Sequence, residues 1–456
     1  MTGSEVTSHA DLTDVLIGQG VRVVAGWATN AAGLVHAKSM PVARTPAFVA
    51  SGAGMSPVHH GYAMDGTIQF TPFYDAVGDL RLRLVPEAVR VLPGGLAAGP
   101  THVVTQDGEP DPTSPRHVLA RAVERLADSG LTALVGHELE FVLVAPDGSA
   151  LPRGAWTPYG LSAIIDRSAL IAEIVEAGAT AGLGIEQVHA EYGAHQLEVS
   201  LAPQPPVEAA DSVILLKTLI GVVTRAHGLA ASFSPVPFAG AVGNGAHQHL
   251  SLSADGANLF DDATPAQDPN AKHRITMRGG HAIAGILDGL VGAQAVLCGS
   301  VVSGLRLEPG HWSGATICWG TENREAAVRY LRAGPANPHG ANIEVKVIDP
   351  SANPYLASAV LLGLALDGID RALPLPPEIV RDTGQFDDEA RSDAGLSLVL
   401  TDQAAILDAF TGSVAERVLG EQASAALLAV RRHEGTAFAD LGAEQLCERL
   451  RLGWSI

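Results

Sequence analysis

Apolar positions recur at helical spacing through RHVLARAVERLADSG (116–130), which predicts a helix. The run that follows, LTALVGHELEFVLV (131–144), is rich in β-branched residues and alternates, which predicts a buried strand. Strand patterns return at 186–200 and 246–253, with a helix near 207–228 between them. Helical patterns occupy 280–300, 354–371 and the Ala- and Leu-rich stretch 400–450. Upstream, residues 10–47 read as a short amphipathic helix followed by two β-like runs, VRVVAGWA and GLVHAK, broken at Thr29, Asn30 and Gly33. Residues 48–79 mix Gly, Ser, His and aromatics without a period, and are expected to form a long functional loop rather than core. The Pro- and Gly-dense stretch 92–116 reads as the boundary between a small α+β unit and a larger one. Strands and helices are segregated rather than regularly alternating, which favours an α+β fold over a doubly wound sheet.

Composition narrows the partners. A chain of 456 residues with 47% hydrophobic content is long enough for two or three domains. With 29 Lys plus Arg against 49 Asp plus Glu, the formal net charge is −20, which argues against nucleic acid or an anionic membrane and for small molecules. The three cysteines, Cys298, Cys318 and Cys447, are far apart, odd in number and in no CxxC pair, so neither a disulfide framework nor a thiolate zinc site is expected. The first dozen residues lack a charged start followed by an apolar core. The most apolar later stretch, 281–305, carries His281, Asp288 and Gln294. A cytoplasmic protein, neither exported nor membrane-spanning, is the expectation.

Against this background, several acids interrupt apolar runs. Glu138 and Glu140 lie in GHELEF, Glu191 and Glu198 in HAEYGAHQLEV, His247 and His249 in GAHQHLSL, and Glu344 in NIEVKVIDPSANPY. On strands, residues two apart share a face, so the ExE and HxH pairs each project from one side. Taken singly, such pairs suit a solvated face or structural histidines as well as ligands. Leu139, Phe141, Val142 and Leu143 leave little room for a solvated face, and an unpaired buried carboxylate costs several kcal/mol. Carboxylates with imidazole form a hard donor set suited to Mg²⁺ or Mn²⁺, and five glutamates are enough for two ions. Paired hard cations suit phosphoryl transfer, and Arg306, Arg324 and Arg329 occur in RLEPG and ENREAAVR. No GxSxG, GxGxxG or Walker-type motif occurs, so ATP, if used, is not held by a P-loop.

The blocks HELEF, EYGAHQLEV, GNGAHQHLSL and IEVKVIDPSANPY, in this order, resemble those of the glutamine synthetase family, over nearly the whole chain. The resemblance implies an N-terminal β-grasp domain (1–108) and a catalytic domain (109–456) with a curved antiparallel sheet flanked by helices. It implies a first metal on Glu140, Glu191 and Glu198, and a second on Glu138, His247 and Glu344. Glutamate would meet Gly243, Arg306 and Lys346, and ATP would meet Glu186, His249, Ser251, Arg324 and Arg329. DGTIQFTPFYDAVGD resembles the family's ammonium loop, making Asp65 the base that deprotonates the nitrogen nucleophile. The implied reaction is phosphorylation of the glutamate γ-carboxylate by ATP, then displacement of phosphate by an amine, in a homo-oligomer expected to be a dodecamer with sites between subunits.

Departures sharpen the expectation. Where the family's flap has a glutamate, PGHWSGA places Trp312. An indole accepts no proton from ammonium, but its face packs against alkyl, aryl or substituted ammonium groups. A γ-glutamylamide synthetase acting on an organic amine is therefore the primary expectation. An ammonia-using glutamine synthetase, with Trp312 merely filling space, and a non-catalytic descendant are the alternatives. Lys346 stands for an arginine, His339 and Asn342 for basic residues near the nucleotide, and no tyrosine follows Tyr355, so C-terminal tyrosine adenylylation is not expected.

Overall fold

The computed structural model describes residues 9–261 and 274–456. Its N-terminal unit is a mixed sheet of β1 (Val23–Thr29), β2 (Val35–Pro41), β3 (Ala53–Met55), β4 (Leu80–Leu84), β5 (Arg90–Leu92) and β6 (Leu96–Val104). The strand order is β2-β1-β6-β4-β3, with β5 on β6. β1 runs parallel to β6, so the first and last strands lie side by side at the centre, while the other pairs are antiparallel. Val24, Leu82, Leu84 and Ala97 build its core with Phe48 of the helix Thr45–Ala50 and with Leu12 and Leu16 of the helix His9–Gly18. Fully burying a side chain such as Phe48 stabilises by about 1.5–3 kcal/mol. Gly26 is required on β1, because a Cβ there would come within 2.6 Å of the Phe48 ring.

Two expectations for this region are corrected. The stretch 92–116 is not all linker: β6 lies within it and forms the centre of the sheet, its apolar residues masked in sequence by Gly99 and Pro100. Residues 48–79 are not simply a loop outside the core, since β3 and the 3-10 turn Pro57–Gly61 fall there and His59 and His60 are buried.

The larger sheet has nine strands: β7 (Leu131–Val144), β8 (Ile185–Ala190), β9 (Gln196–Gln204), β10 (Ala230–Ser232), β11 (Gln248–Ala254), β12 (Ala257–Asn258), β13 (Thr316–Thr321), β14 (Ala326–Leu331) and β15 (Asn342–Val345). Its main path is β13-β14-β15-β11-β7-β9-β8. Neighbours are antiparallel, except that β13 and β14 pair in parallel at that edge. The single strand expected at 186–200 is two, turning through 191–195, where His195 takes a positive φ of 60°. The stretch 400–450 is helical but divided, with breaks at Gly412 and Gly420, both at positive φ.

Alternation along β7 sets the two faces of this sheet. Leu139, Phe141 and Leu143 point into a core shared with Leu216, Ile220 and Val223 of the helix Pro206–Ala226, leaving Glu138 and Glu140 on the opposite face. The helix Met277–Leu297 is long and apolar enough to cross a bilayer, but 72% of its most apolar window is buried within the protein. The helix Pro354–Asp370 starts at Asn353, whose Oδ1 accepts from the Tyr355 and Leu356 N–H groups while its Nδ2 donates to Thr29 Oγ1 and the Asn30 carbonyl. One buried amide thus caps a core helix and ties the two sheets together.

Candidate active site

Strand register assembles the acids before side-chain detail is considered. Glu140 lies opposite Glu198 on β9, which lies opposite His189 on β8. Glu138 and Glu140 N–H groups donate to the His247 and Gly245 carbonyls, each at 3.0 Å, continuing the ladder into the loop ahead of β11. His249 on β11 lies opposite Glu344 on β15. Five strands and two strand ends therefore aim carboxylates and imidazoles at one side of the sheet.

The side chains meet there. His247 Nδ1 lies 3.5 Å from Glu138 Oε2 and 3.3 Å from Glu344 Oε1, and His249 Nε2 lies 3.3 Å from Glu138 Oε1. His189 Nε2 is 2.8 Å from Glu191 Oε1 and 3.7 Å from Glu198 Oε1. Three groups have donor atoms within 4.8 Å of one another: Glu138, Glu198 and His247; Glu138, His249 and Glu344; and His189, Glu191 and Glu198. Glu140 is held differently: its Oε2 accepts from the Gly245 N–H (2.8 Å) and from Gln196 Nε2 (2.9 Å).

Crowding of like charge governs the electrostatics. Burial, reinforced by Glu138, Glu140, Glu191 and Glu344, pushes the Glu198 carboxyl well above its usual range, and burial raises Glu140 too. Burial opposes ionisation of Glu138 and Glu344 as well. Hydrogen bonds from His247 and His249 nevertheless hold Glu138 well below the usual range, and Lys346 with the histidines holds Glu344 at about 2. Against its own burial, His249 is raised to about 9 by Glu138 and Glu344. A carboxylate set in which Glu198 and Glu140 are raised by burial and by acidic neighbours fits divalent cations as the compensating charge, and its oxygens are donors of the right hardness.

Cationic groups border the cluster. Arg329 donates from Nη1 to Glu344 (3.2 Å) and from Nη2 to Glu322 (2.8 Å), and Lys346 Nζ donates to Glu344 at 3.0 Å. Arg306, buried, donates to the Lys346 and Val347 carbonyls and reaches His247 Nε2 at 3.2 Å. Gly243 has no space for a side chain, because a Cβ would lie 2.8 Å from Arg306 Cγ. Ser251 follows His249 by two on β11 and shares its face, whereas Glu186 is exposed on β8 and paired with His339 at 2.8 Å. Arg324 is exposed and lines a groove of about 320 Å³ with Trp312.

Asp65 is not joined to this cluster by any contact among the described residues. Its carboxylate accepts from the Thr67 N–H and hydroxyl and meets His433 Nε2 at 2.8 Å, beside the helix Glu421–Ala437. Burial opposes its ionisation, yet these bonds lower its pKa. Three functional positions were not singled out in the sequence: His189, Gln196 and Glu325. His189 has a readable signal, since His-x-Glu places it on the face of Glu191. Gln196 does not, because a lone glutamine has no pattern. Glu325 is buried and accepts from the Gly310 and Trp312 N–H groups (3.2 and 2.9 Å), a role visible only in three dimensions.

Comparison with known proteins agrees with this geometry. Residues 112–446 match the family described as glutamine synthetase, catalytic domain. The chain is 36% identical over 445 residues to the gamma-glutamylpolyamine synthetase of Streptomyces coelicolor, covering 94% of this chain and 93% of that protein. It is 35% identical over 288 residues to a glutamine synthetase of Thermus thermophilus, 61% and 62% of the two chains. Among solved structures, a novel glutamine synthase homolog superposes with a TM-score of 0.82 at 30% identity, covering 95% of this chain and 98% of that one. An ADP complex of GmaS superposes with a TM-score of 0.81 at 26% identity, covering 95% and 97%.

Proposed function

Since the chain belongs to the glutamine synthetase family, we propose that it joins the γ-carboxylate of L-glutamate to an organic amine, converting ATP to ADP and phosphate. The observation that carries this reading is the convergence of Glu138, Glu140, Glu191, Glu198, His247 and Glu344 on one sheet face, bordered by Arg306, Arg329 and Lys346. Mg²⁺ or Mn²⁺ would be held by Glu140, Glu191 and Glu198, with His189 beside them, and by Glu138, His247 and Glu344. The ions supply positive charge for the phosphate oxygens of ATP.

In this reading Arg306, Lys346 and the Gly243 backbone orient glutamate, and Glu186, His249 and Ser251 meet the nucleotide. A γ-carboxylate oxygen attacks the γ-phosphorus as the bond to ADP breaks, and Arg324 and Arg329 stabilise the charge on the moving phosphoryl group. The amine nitrogen then attacks the acyl carbon, a C–N bond forms and phosphate departs with the former carboxylate oxygen. The amine's proton passes to Asp65 of a neighbouring subunit, which accounts for the separation of Asp65 from the cluster within one chain. A cytoplasmic dodecamer, with a β-grasp unit over residues 1–108 ahead of the catalytic domain, belongs to the same proposal.

Trp312 in the flap and the polyamine-acting relative support an organic amine over ammonium. The glutamine synthetase relatives favour ammonium as the second reading. Steady-state assays with glutamate, ATP and each nitrogen donor separate them. An organic amine is expected to exceed ammonium in kcat/KM, and ammonium ahead by orders of magnitude would overturn the proposal.

A further inference from the structure

The groove beside the flap carries information about the amine that the acid cluster does not. Its volume, about 320 Å³, is at the lower end of ligand-sized cavities. Trp312 lines one part and Val380, on the segment after the helix Pro354–Asp370, lines another. Both are large apolar residues left open, at 47% and 64% exposure. Trp312 also adopts φ = 52°, a left-handed conformation that L side chains rarely take. It is fixed there by the buried Glu325 carboxylate, which accepts from the Trp312 and Gly310 N–H groups. Backbone strain held by a buried anchor, presenting an indole to a groove that also contains Arg324, marks a functional surface.

The carboxylates lining this groove already have partners. Glu322 is bonded to Arg329, Glu325 to the flap backbone, and Asp382 to the Gly384 N–H at 2.9 Å. Arg324 and Arg381 line the same groove, and the Arg381 guanidinium is stacked 4.6 Å from the Phe386 ring centre. The lining itself holds three carboxylates and two guanidinium groups, and Arg329, outside the lining, offsets Glu322, while Lys346 serves Arg329's other partner, Glu344. A substrate with a second ammonium group requires an excess of carboxylate to offset its desolvation, and this groove has none.

Resting on the amine-ligase reading above, we infer that the acceptor is a primary monoamine whose uncharged tail lies in this groove against Trp312 and Val380. The remote tail selects the substrate by apolar contact, and the reacting nitrogen is the only ammonium the site must neutralise.

The test compares kcat/KM for butylamine, phenethylamine and ethanolamine with that for putrescine, spermidine and ammonium, in the purified full-length protein with glutamate, ATP and Mg²⁺ or Mn²⁺. At least one monoamine is expected to exceed both polyamines tenfold or more. The exposed substitution Val380→Asp is expected to narrow that gap tenfold while leaving the KM for glutamate unchanged. Putrescine or spermidine equal to or better than every monoamine would overturn the inference and leave amine ligation intact. Turnover with ammonium alone would overturn both. A monoamine preference that Val380→Asp and Trp312→Ala both leave unmoved would show that the tail does not lie here.

Discussion

Gln196 offers the sharpest test of how the site is held together. It is fully buried, and its Nε2 lies 2.9 Å from each of three acceptors: Glu140 Oε2, the Gly243 carbonyl and Asn244 Oδ1. Its Oε1 accepts from the Gly193 N–H at 2.8 Å. One amide therefore fixes the Glu140 carboxylate, the Gly243–Asn244 loop and the β8–β9 turn together. Gln196→Leu removes a hydrogen bond to a charged group, of about 1.5–3 kcal/mol, and takes this partner from the half-buried Gly243 carbonyl and Gly193 N–H, at up to about 1 kcal/mol each. Asn244 has its own bonds to the Ser232 and Ser234 carbonyls, so the loop backbone retains a tether. Losing the orienting partner of a ligand typically weakens metal affinity or activity about 10- to 100-fold. The expected result in a phosphate-release assay is a Mg²⁺ or Mn²⁺ activation constant raised about 10- to 100-fold, with the KM for glutamate raised alongside it. A variant that loses thermal stability but keeps both constants would refute the coupling and reduce Gln196 to a packing residue.

Other predictions concern charge. Glu198→Gln removes one member of the crowded carboxylate set, so chelator-treated protein should melt about 1–2 °C higher, while activity should fall at least about 100-fold; a lower melting temperature would contradict the repulsion. In the N-terminal unit, burial with a contribution from His60 lowers His36 from 6.5 to about 4. A histidine depressed on folding contributes stability that is complete above its unfolded pKa and lost as pH falls from 6.5 toward 4. The loss approaches about 3 kcal/mol at most, less with partial solvation. Urea midpoints at pH 7.5 and 5 should therefore differ more in the wild type than in His36→Gln, and equal differences would refute the assignment.

How much was legible in the sequence follows from what each residue contacts. Glu138, Glu140, His249 and Glu344 were readable because strand alternation fixes their side of the sheet, and His247 because it immediately precedes β11. β6 was hidden because Gly99 and Pro100 interrupt its apolar pattern, although Gly99 packs on Val89 and the strand is central. β13, β14 and β15 are too short, at four to six residues, to show a period. Glu325 and Gln196 act through backbone groups distant in the chain, and no local pattern encodes such bonds.

The central claim is that this acid cluster serves transfer of phosphate to glutamate before the amine arrives. Glutamate labelled with ¹⁸O in its γ-carboxylate, incubated with ATP and a turned-over amine, tests it most directly. The account predicts that each phosphate released carries one ¹⁸O atom, because the carboxylate oxygen leaves with the phosphoryl group. Unlabelled phosphate, or phosphate released at the same rate without glutamate, would contradict it.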